Sequence, residues 1–544
     1  MRPSPHATSL RRHRWVEHSA LLAVIAAFLL LVSDLRVPHV PSTSPNISGP
    51  YASLLAASTD LGQARGDRIQ LTAQLVDDRR PDALINWAEQ HALTVRWQPG
   101  DAWAIVEGNP HDVSSALDVE VHDYRGRQGQ EFYASPQQPA VPGPLHVEVA
   151  GLGRILSYTP HHTSRPSIMP LDVPDQGLTP AALLTTYNAA TLAKGGFTGK
   201  GQTIVIFAFN GYAQNDLDTF ATTYGLPKFT PTQIGAPLGE PYGETTMDLE
   251  VAHAIAPDAQ LVVVNARPTF ENGGGVYENI GKMLEDTDRQ FPGAVWSFSI
   301  GWGCDKLMTA ADLAPVRSAL ADAQQRGTVA FDASGDLAGL ECKGGTDWDS
   351  IPGPSDIGLD SVASIPEMTN VGGTTLSTDD KGLWLAEQAW FDVPLSQGTG
   401  GGTSVLFDLP PWQRDAANRV PPDRAGRRLT PDISAVADPF TGVKIVIDGQ
   451  HVVGGGTSQS APIWAGLAAV MNQYLVASGG DLLGDLNPYL YRMAIGAPFP
   501  AFRDIVLGGN AVDSAGPGYD LVSGLGTPDV DNMVRNLLIL QRAS

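Results

Sequence analysis

The sequence predicts an α/β protein, a parallel sheet flanked by helices, preceded by a smaller α+β region of ferredoxin-like order. Two observations carry the α/β assignment. Near-continuous apolar or β-rich runs occur at 203–209 (TIVIFAF), 260–265 (QLVVVN), 294–299 (AVWSFS) and 328–333 (TVAFDA), as strands buried on both faces require. Helical patterns at 279–289 and 311–326 lie among them, the alternation of a parallel sheet. A third observation defines the earlier region. Strands at 71–76, 93–97, 103–107 and 119–124, with helices at 81–91 and 111–117, give the order β-α-β-β-α-β.

From the N-terminus, Arg2, Arg11, Arg12 and Arg14 precede the apolar run 20–32 (ALLAVIAAFLLLV). Residues 1–34 therefore read as a secretory signal, or as a signal anchor if left uncleaved. As a helix the run spans about 20 Å, short of the roughly 30 Å hydrocarbon core. Residues 35–54 are rich in Pro and Ser and read as a linker. The α+β region occupies 55–157. Residues 158–178 are turn-rich and without periodicity, as an exposed, cleavable segment is. The α/β region runs from 179 to 544. In an exported chain, Cys304 and Cys342 are able to pair. The formal net charge of −23 excludes nucleic acid and anionic membrane surfaces as natural partners.

The chemistry begins at 454–462 (GGGTSQSAP), where Ser458 opens an apolar helix expected over 459–474. A serine nucleophile needs a base. Of 12 histidines only His253 and His451 lie beyond residue 170. His451 reads as an exposed turn residue. His253 belongs to a helix expected over 244–256, with Met247, Val251 and Ile255 as its apolar stripe. Glu244 and Asp248, four residues apart, share one face of that helix. His253, nine residues from Glu244, faces about 180° away. Taken alone, such an acidic pair also suits a solvated helix face. Asp336 directly follows a strand in Ala333-Ser334-Gly335-Asp336; an aspartate there donates to an oxyanion only when protonated. Near the C-terminus, Asp504-Ile505 and Gly516-Pro517-Gly518-Tyr519-Asp520 offer two carboxylates and several carbonyls, a donor set for Ca²⁺.

With these residues in place, the chain resembles the sedolisins, the serine-carboxyl peptidases that share the subtilisin-like fold and replace the histidine base with a carboxylate. The resemblance covers about residues 60–540. It rests on GETTMDLEVAHAIAPDAQ (243–260), ASGD (333–336), GTGGGTSVLFDLPPWQ (398–413), RRLTPDISAVADPFTG (427–442), GGTSQSAP (455–462), FRDIVLGGN (502–510) and AGPGYDLVSGLGTP (515–528), in this order. The resemblance implies an exported, acid-acting endopeptidase that cuts protein or peptide substrates. In it Ser458 is the nucleophile, Glu244 the general base and later acid, Asp248 its hydrogen-bonding partner, and Asp336 the oxyanion donor. One Ca²⁺ is implied, bound by the side chains of Asp504 and Asp520 and the carbonyls of Ile505, Gly516 and Gly518. The α+β region becomes an inhibitory prodomain. One departure stands out. The family's Ser-x-Ser-Trp-Gly stretch reads Ser297-Phe298-Ser299-Ile300-Gly301 here, with the tryptophan displaced to Trp302.

Two other readings compete. A histidine-dependent peptidase would use His253 or His451. A binding protein that kept the fold without the chemistry would have lost Ser458, Glu244, Asp248 or Asp336, and all four are present. The choice between an endopeptidase and a tripeptidyl peptidase rests on no motif in the chain.

Overall fold

The architecture comes from a computed structural model that describes residues 44–66, 68–126, 129–158, 169–170, 177–241, 243–267, 275–345, 354–392 and 397–543. Residues Asn46–Ser544 form one compact unit. The predicted signal segment and the first part of the linker lie outside the described residues. The rest of that linker is not all linker. Pro50–Ala56 is a helix, with Pro in its first turn and Tyr51 and Leu54 buried.

The α+β region forms a four-stranded antiparallel sheet from Ile69–Leu75, Thr94–Arg96, Trp103–Gly108 and Val149–Leu152. In space the second strand comes first, then the third, the first and the fourth. This is the ferredoxin-like arrangement. Helices Asp82–Gln90 and Pro110–Leu117 supply Leu84, Ala88, Val113 and Leu117 to a core that includes Leu71, Ala73 and Val106. The expected strand at 119–124 is corrected. Asp118, at φ +51, closes the preceding helix in a left-handed turn. The chain then forms His122–Arg125, which pairs with Thr59–Gln63 and Glu131–Ala134 in a separate sheet. The fourth strand of the ferredoxin-like sheet comes about thirty residues later.

The larger region is built on an eight-stranded sheet. Its strands are β1 (Thr203–Ala208), β2 (Thr232–Ile234), β3 (Gln260–Asn265), β4 (Val295–Phe298), β5 (Val329–Ala333), β6 (Thr369–Thr378), β7 (Trp384–Ala389) and β8 (Ile433–Val436). The order is β2-β3-β1-β4-β5-β6, all parallel, with β6 also pairing antiparallel with β7 and parallel with β8. The direction of progression reverses between β1 and β4, and such a switch point opens a crevice at the carboxyl ends of the strands.

Four helices matter most: α1 (Gly243–Ile255), α2 (Val276–Gln290), α3 (Ala314–Gln325) and α4 (Thr457–Ala477). Alternation along the strands sorts their partners. Val205, Phe207, Trp296 and Phe298 meet Ile280 and Leu284 of α2 and Val316 and Leu320 of α3. Ile204, Ile206, Val263 and Phe331 meet Met247, Val251 and Ile255 of α1 and Ile463, Trp464 and Leu467 of α4. The expected apolar stripe of α1 is thus one side of a helix whose residues 244–255 are all buried. Gly466 sets the separation of α1 and α4. A Cβ there would lie 2.9 Å from Ile255 Cβ and 3.2 Å from the Ala252 carbonyl.

The α+β region packs beside α2 and α3. Arg96 forms a two-pronged ion pair with Glu278 of α2, the longer arm being 2.7 Å. The Arg154 N–H donates to Asp312 at 3.0 Å, and its guanidinium donates to the Lys306 carbonyl at 2.8 Å. Cys304 and Cys342 form a disulfide, which packs with Leu307 against Tyr51, Leu54 and Phe132. Two short pairings lie within the segment read as the processing linker, 158–178. Met169–Pro170 pairs antiparallel with Val452–Val453, and Leu178 bridges to Val443. Residues 159–168 and 171–176 of that linker lie outside the described residues.

Because Gly466 permits close approach of two buried helices, Gly466→Val is expected to destabilise the protein by about 1–3 kcal/mol through overpacking. Thermal unfolding of the variant beside the parent measures this.

Candidate active site

The sequence places four polar side chains where this sheet leaves space. Helix α1 begins at the carboxyl end of β1. The Thr245 hydroxyl donates to the Asn210 carbonyl at 3.0 Å, and the Ala213 N–H donates to Thr246 Oγ1 at 3.3 Å. Glu244 and Asp248 therefore sit in the crevice rather than on a solvated face, with exposures of 7% and 1%. Helix α4 is seated against β8 through its own polar side chains. The Ser460 hydroxyl donates to the Ala435 carbonyl, Gln459 Nε2 to the Val436 carbonyl, and Trp464 Nε1 to the Ser434 carbonyl. This seat fixes Ser458, the second residue of the helix, also buried.

Ser299, just past the end of β4, links the two helices. Its Oγ lies 2.9 Å from Asp248 Oδ1 and 2.9 Å from the Ser458 carbonyl oxygen. Asp336, just past β5, is held from the other side. The Thr457 N–H donates to Asp336 Oδ1 at 2.7 Å and the Thr457 hydroxyl to the same oxygen at 2.9 Å. Gly456, at φ +85, makes room for this carboxyl, since a Cβ there would lie 2.7 Å from Asp336 Oδ2. The structure thus gathers Asp248, Ser458 and Asp336 around the first turn of α4, with Glu244 one turn from Asp248. Sequence reasoning singled out those four but missed the roles of Thr457 and Ser299. Thr457 was legible only as one residue of the GGTSQSAP stretch, and Ser299 only as the end of a strand-like run and a member of the Ser-x-Ser-Trp-Gly stretch.

Electrostatics follows burial. Burial pushes the Asp248 carboxyl well above the usual carboxylate range, against the pull of the Ser299 hydrogen bond. Burial also raises Asp336, opposed by its two bonds from Thr457. The histidines are elsewhere. His253 is buried, its Nε2 donating to the Pro227 carbonyl at 2.8 Å and its ring stacked on Phe229. Burial lowers it to about 4. His451 is exposed on the short strand Gln450–Val453. Trp302, the displaced tryptophan, is 1% exposed and packs edge-on to Phe298 and Tyr277 in the α2–α3 core.

Behind Asp336 lies a further group of acids, Asp305 and Asp332 buried, Glu341 and Asp360 half-buried. Glu341 accepts the Leu337 N–H at 2.8 Å, and Asp360 accepts N–H groups from Trp302, Gly303 and Val362. Asp305 accepts from Val405 and Ser364, and Asp332 from Asn370. Burial raises all four, Asp305 and Asp360 to about 6.

The proposed metal residues also converge. The Gly518 N–H donates to Asp504 Oδ2 at 2.8 Å, and the Gly516 N–H to Asp520 Oδ2 at 2.9 Å. The Ser523 hydroxyl reaches both Asp520 and the Ile505 carbonyl. Asp504 is exposed and Asp520 buried, and burial raises the Asp520 carboxyl despite its N–H donors. An all-oxygen set with a buried carboxyl fits a hard cation, which would offset that burial cost.

No family model matches the chain. Comparison with individual proteins is decisive. The chain is 32% identical over 482 residues to kumamolisin of Bacillus sp. (strain MN-32), covering 83% of this chain and 82% of that protein. The chain belongs to the sedolisin family. Sedolisin of Pseudomonas sp. (strain 101) is 29% identical over 376 residues, and human tripeptidyl-peptidase 1 is 26% identical over 447. The solved structure of Pseudomonas sedolisin, a serine-carboxyl proteinase complexed with two molecules of pseudo-iodotyrostatin, superposes with a TM-score of 0.54 at 26% identity. It covers 66% of this chain and 97% of that one. The subtilisin-like α/β fold and a serine-type peptidase activity follow for this sedolisin-family chain.

The buried acids set a stability profile. In the unfolded chain these carboxyls lose their protons near pH 4; in the folded protein Asp305 and Asp360 keep theirs to about 6. A raised folded pKa contributes stability that is full below the unfolded value and is lost as pH rises through the folded one. Calorimetry is expected to show the melting temperature falling between about pH 4 and pH 7. Asp305→Asn should flatten that fall, by about 3 kcal/mol at the neutral end.

Proposed function

We propose that the chain is an exported, acid-acting serine-carboxyl endopeptidase, in which Ser458 attacks the scissile carbonyl and Glu244 and Asp248 together act as the base. The observation that carries this reading is the packing of α1 against α4, which joins the carboxyl helix to the Ser458 backbone through Ser299. Glu244 takes the Ser458 hydroxyl proton as Oγ bonds to the carbonyl carbon. The carbonyl oxygen gains the displaced electron pair, and protonated Asp336 donates a hydrogen bond to it. One such donor is worth about 3–4 kcal/mol of transition-state stabilisation. Glu244 returns the proton to the departing amine as the C–N bond breaks. Water then releases the acyl group, with Glu244 again the base. A carboxylate has too low a pKa to serve as a strong base at neutral pH, and Asp336 donates only while protonated. Both requirements favour acid.

Asp504 and Asp520 side chains, with the carbonyls of Ile505, Gly516 and Gly518, would hold one Ca²⁺. Bound there, the ion supplies a structural cross-link between two loops. Residues 55–157 serve as an inhibitory prodomain and 158–178 as its processing linker. The ion pair of Arg96 with Glu278 and the apolar seat around the disulfide support the first assignment. The pairing of Met169–Pro170 with Val452–Val453, five residues before Ser458, supports the second. Burial raises the Glu278 carboxyl, but Arg96 and Lys282 outweigh it and pull it down to about 2. Export rests on the N-terminal basic and apolar segments, and membrane attachment applies only if they stay uncleaved.

Ser458→Ala and Glu244→Gln are expected to lose at least about a thousandfold in kcat on an unfolded protein substrate at acid pH. Replacing His253 with Phe should preserve the activity. Survival of Glu244→Gln together with loss in the His253 variant would reject the carboxylate base. For the ion, a chelator should lower the melting temperature of the parent and leave Asp520→Ala, already destabilised, without further change.

A further inference from the structure

We propose that Ser299 is a positioning residue that couples the protonation state of Asp248 to the backbone of the first turn of α4. This rests on the reading of Glu244 and Asp248 as the base. Pro462 lies one turn after Ser458 in α4. In a regular helix the Ser458 carbonyl accepts the N–H of residue 462. Proline has no N–H, so that bond cannot form. Ser299 Oγ stands 2.9 Å from this carbonyl oxygen and supplies a hydrogen bond in its place. The same Oγ stands 2.9 Å from Asp248 Oδ1.

A serine hydroxyl has one proton and can also accept. When Asp248 is protonated, its O–H donates to Ser299 Oγ, and the Ser299 proton is free for the Ser458 carbonyl. Both bonds are then made at once. When Asp248 is ionised it can only accept. Asp248 and the Ser458 carbonyl then compete for a single proton, and the carboxylate wins because a charged acceptor makes the stronger bond. The turn that carries the nucleophile loses a hydrogen bond as the base gains one. Ser299 is 3% exposed and Asp248 1%, so water is poorly placed to substitute.

The titratable groups around this junction are few. Glu244 lies on the same helix as Asp248. Asp336 approaches the first turn of α4 through Thr457. Glu250 and His253 of α1 are turned elsewhere, Glu250 accepting the Val446 N–H and His253 bonded to Pro227. Strand β4 adds no ionisable side chain, and Asp332 of β5 is bonded to Asn370. The change is therefore tied to the Glu244–Asp248 pair.

The test is the pH dependence of kcat/KM for the parent, Ser299→Ala, Ser299→Thr and Pro462→Ala. Loss of the hydroxyl removes a hydrogen bond that favours ionised Asp248. The acid limb of Ser299→Ala should move up by about one pH unit, with kcat lower by about tenfold. Ser299→Thr keeps the hydroxyl and should keep the limb. Pro462→Ala restores an N–H to the Ser458 carbonyl and releases Ser299 to Asp248, so its acid limb should move down. That variant carries the test even if Ser299→Ala fails to fold. Acid limbs that stay in place in both Ser299→Ala and Pro462→Ala, in an enzyme whose parent form needs Glu244, overturn the role of Ser299 alone. A parent enzyme indifferent to Glu244→Gln overturns the base assignment and this inference with it.

Discussion

Asp248 is almost wholly removed from water, and its hydrogen bond comes from a hydroxyl rather than a cation. A carboxyl so placed resists ionisation. That constraint organises the rest of the site. It needs a helix buried on every side, which α1 is, and a second buried helix close enough to exclude water, which Gly466 allows. In the proposed mechanism it also gives the pair Glu244 and Asp248 a reason to share a proton. A conventional triad buries an aspartate beneath a histidine. Here His253, the buried histidine among the described residues of the larger region, is occupied by Pro227 and Phe229, and in the proposed mechanism a second carboxyl, Glu244, takes the part of an imidazole.

The same logic extends outward. Asp336, Glu341, Asp360, Asp305 and Asp332 are all raised by burial, and several are raised further by one another. Backbone N–H donors hold Asp336, Glu341, Asp360 and Asp305 in place, and the Asn370 side-chain amide holds Asp332. While protonated, at low pH, such groups do not oppose the fold. The disulfide of Cys304 and Cys342 lies in this neighbourhood. It ties the segment after β4 to the segment after Asp336, and it also forms part of the seat for Tyr51 and Leu54. The wall of the crevice and the contact with the α+β region thus share one covalent brace.

Much of this was legible in the sequence. The four apolar runs became β1, β3, β4 and β5 within a residue or two, because strands buried on both faces leave an unbroken apolar signature. Glu244 and Asp248 could be placed on one helix face by spacing alone. Whether that face met water or protein could not, since the deciding neighbour, α4, lies over two hundred residues away. The fourth strand of the ferredoxin-like sheet, Val149–Leu152, escaped notice because VAGL is short and carries a glycine. Ser299 escaped for a different reason. Its function exists only between a carboxyl on one element and a carbonyl on another, and Pro462, which vacates that carbonyl's usual partner, reads in the sequence as an ordinary early-helix proline.

In the proposed mechanism a carboxyl pair, not an imidazole, takes the Ser458 proton. Its most direct test is the pH dependence of kcat/KM for the activated parent enzyme, from about pH 3 to pH 8. A carboxyl base gives a bell with its maximum below about pH 5, the acid limb set by the Glu244–Asp248 pair and the other limb by ionisation of Asp336. A profile that instead rises through a single ionisation near pH 6.5 to a neutral plateau, as a histidine base gives, would contradict it.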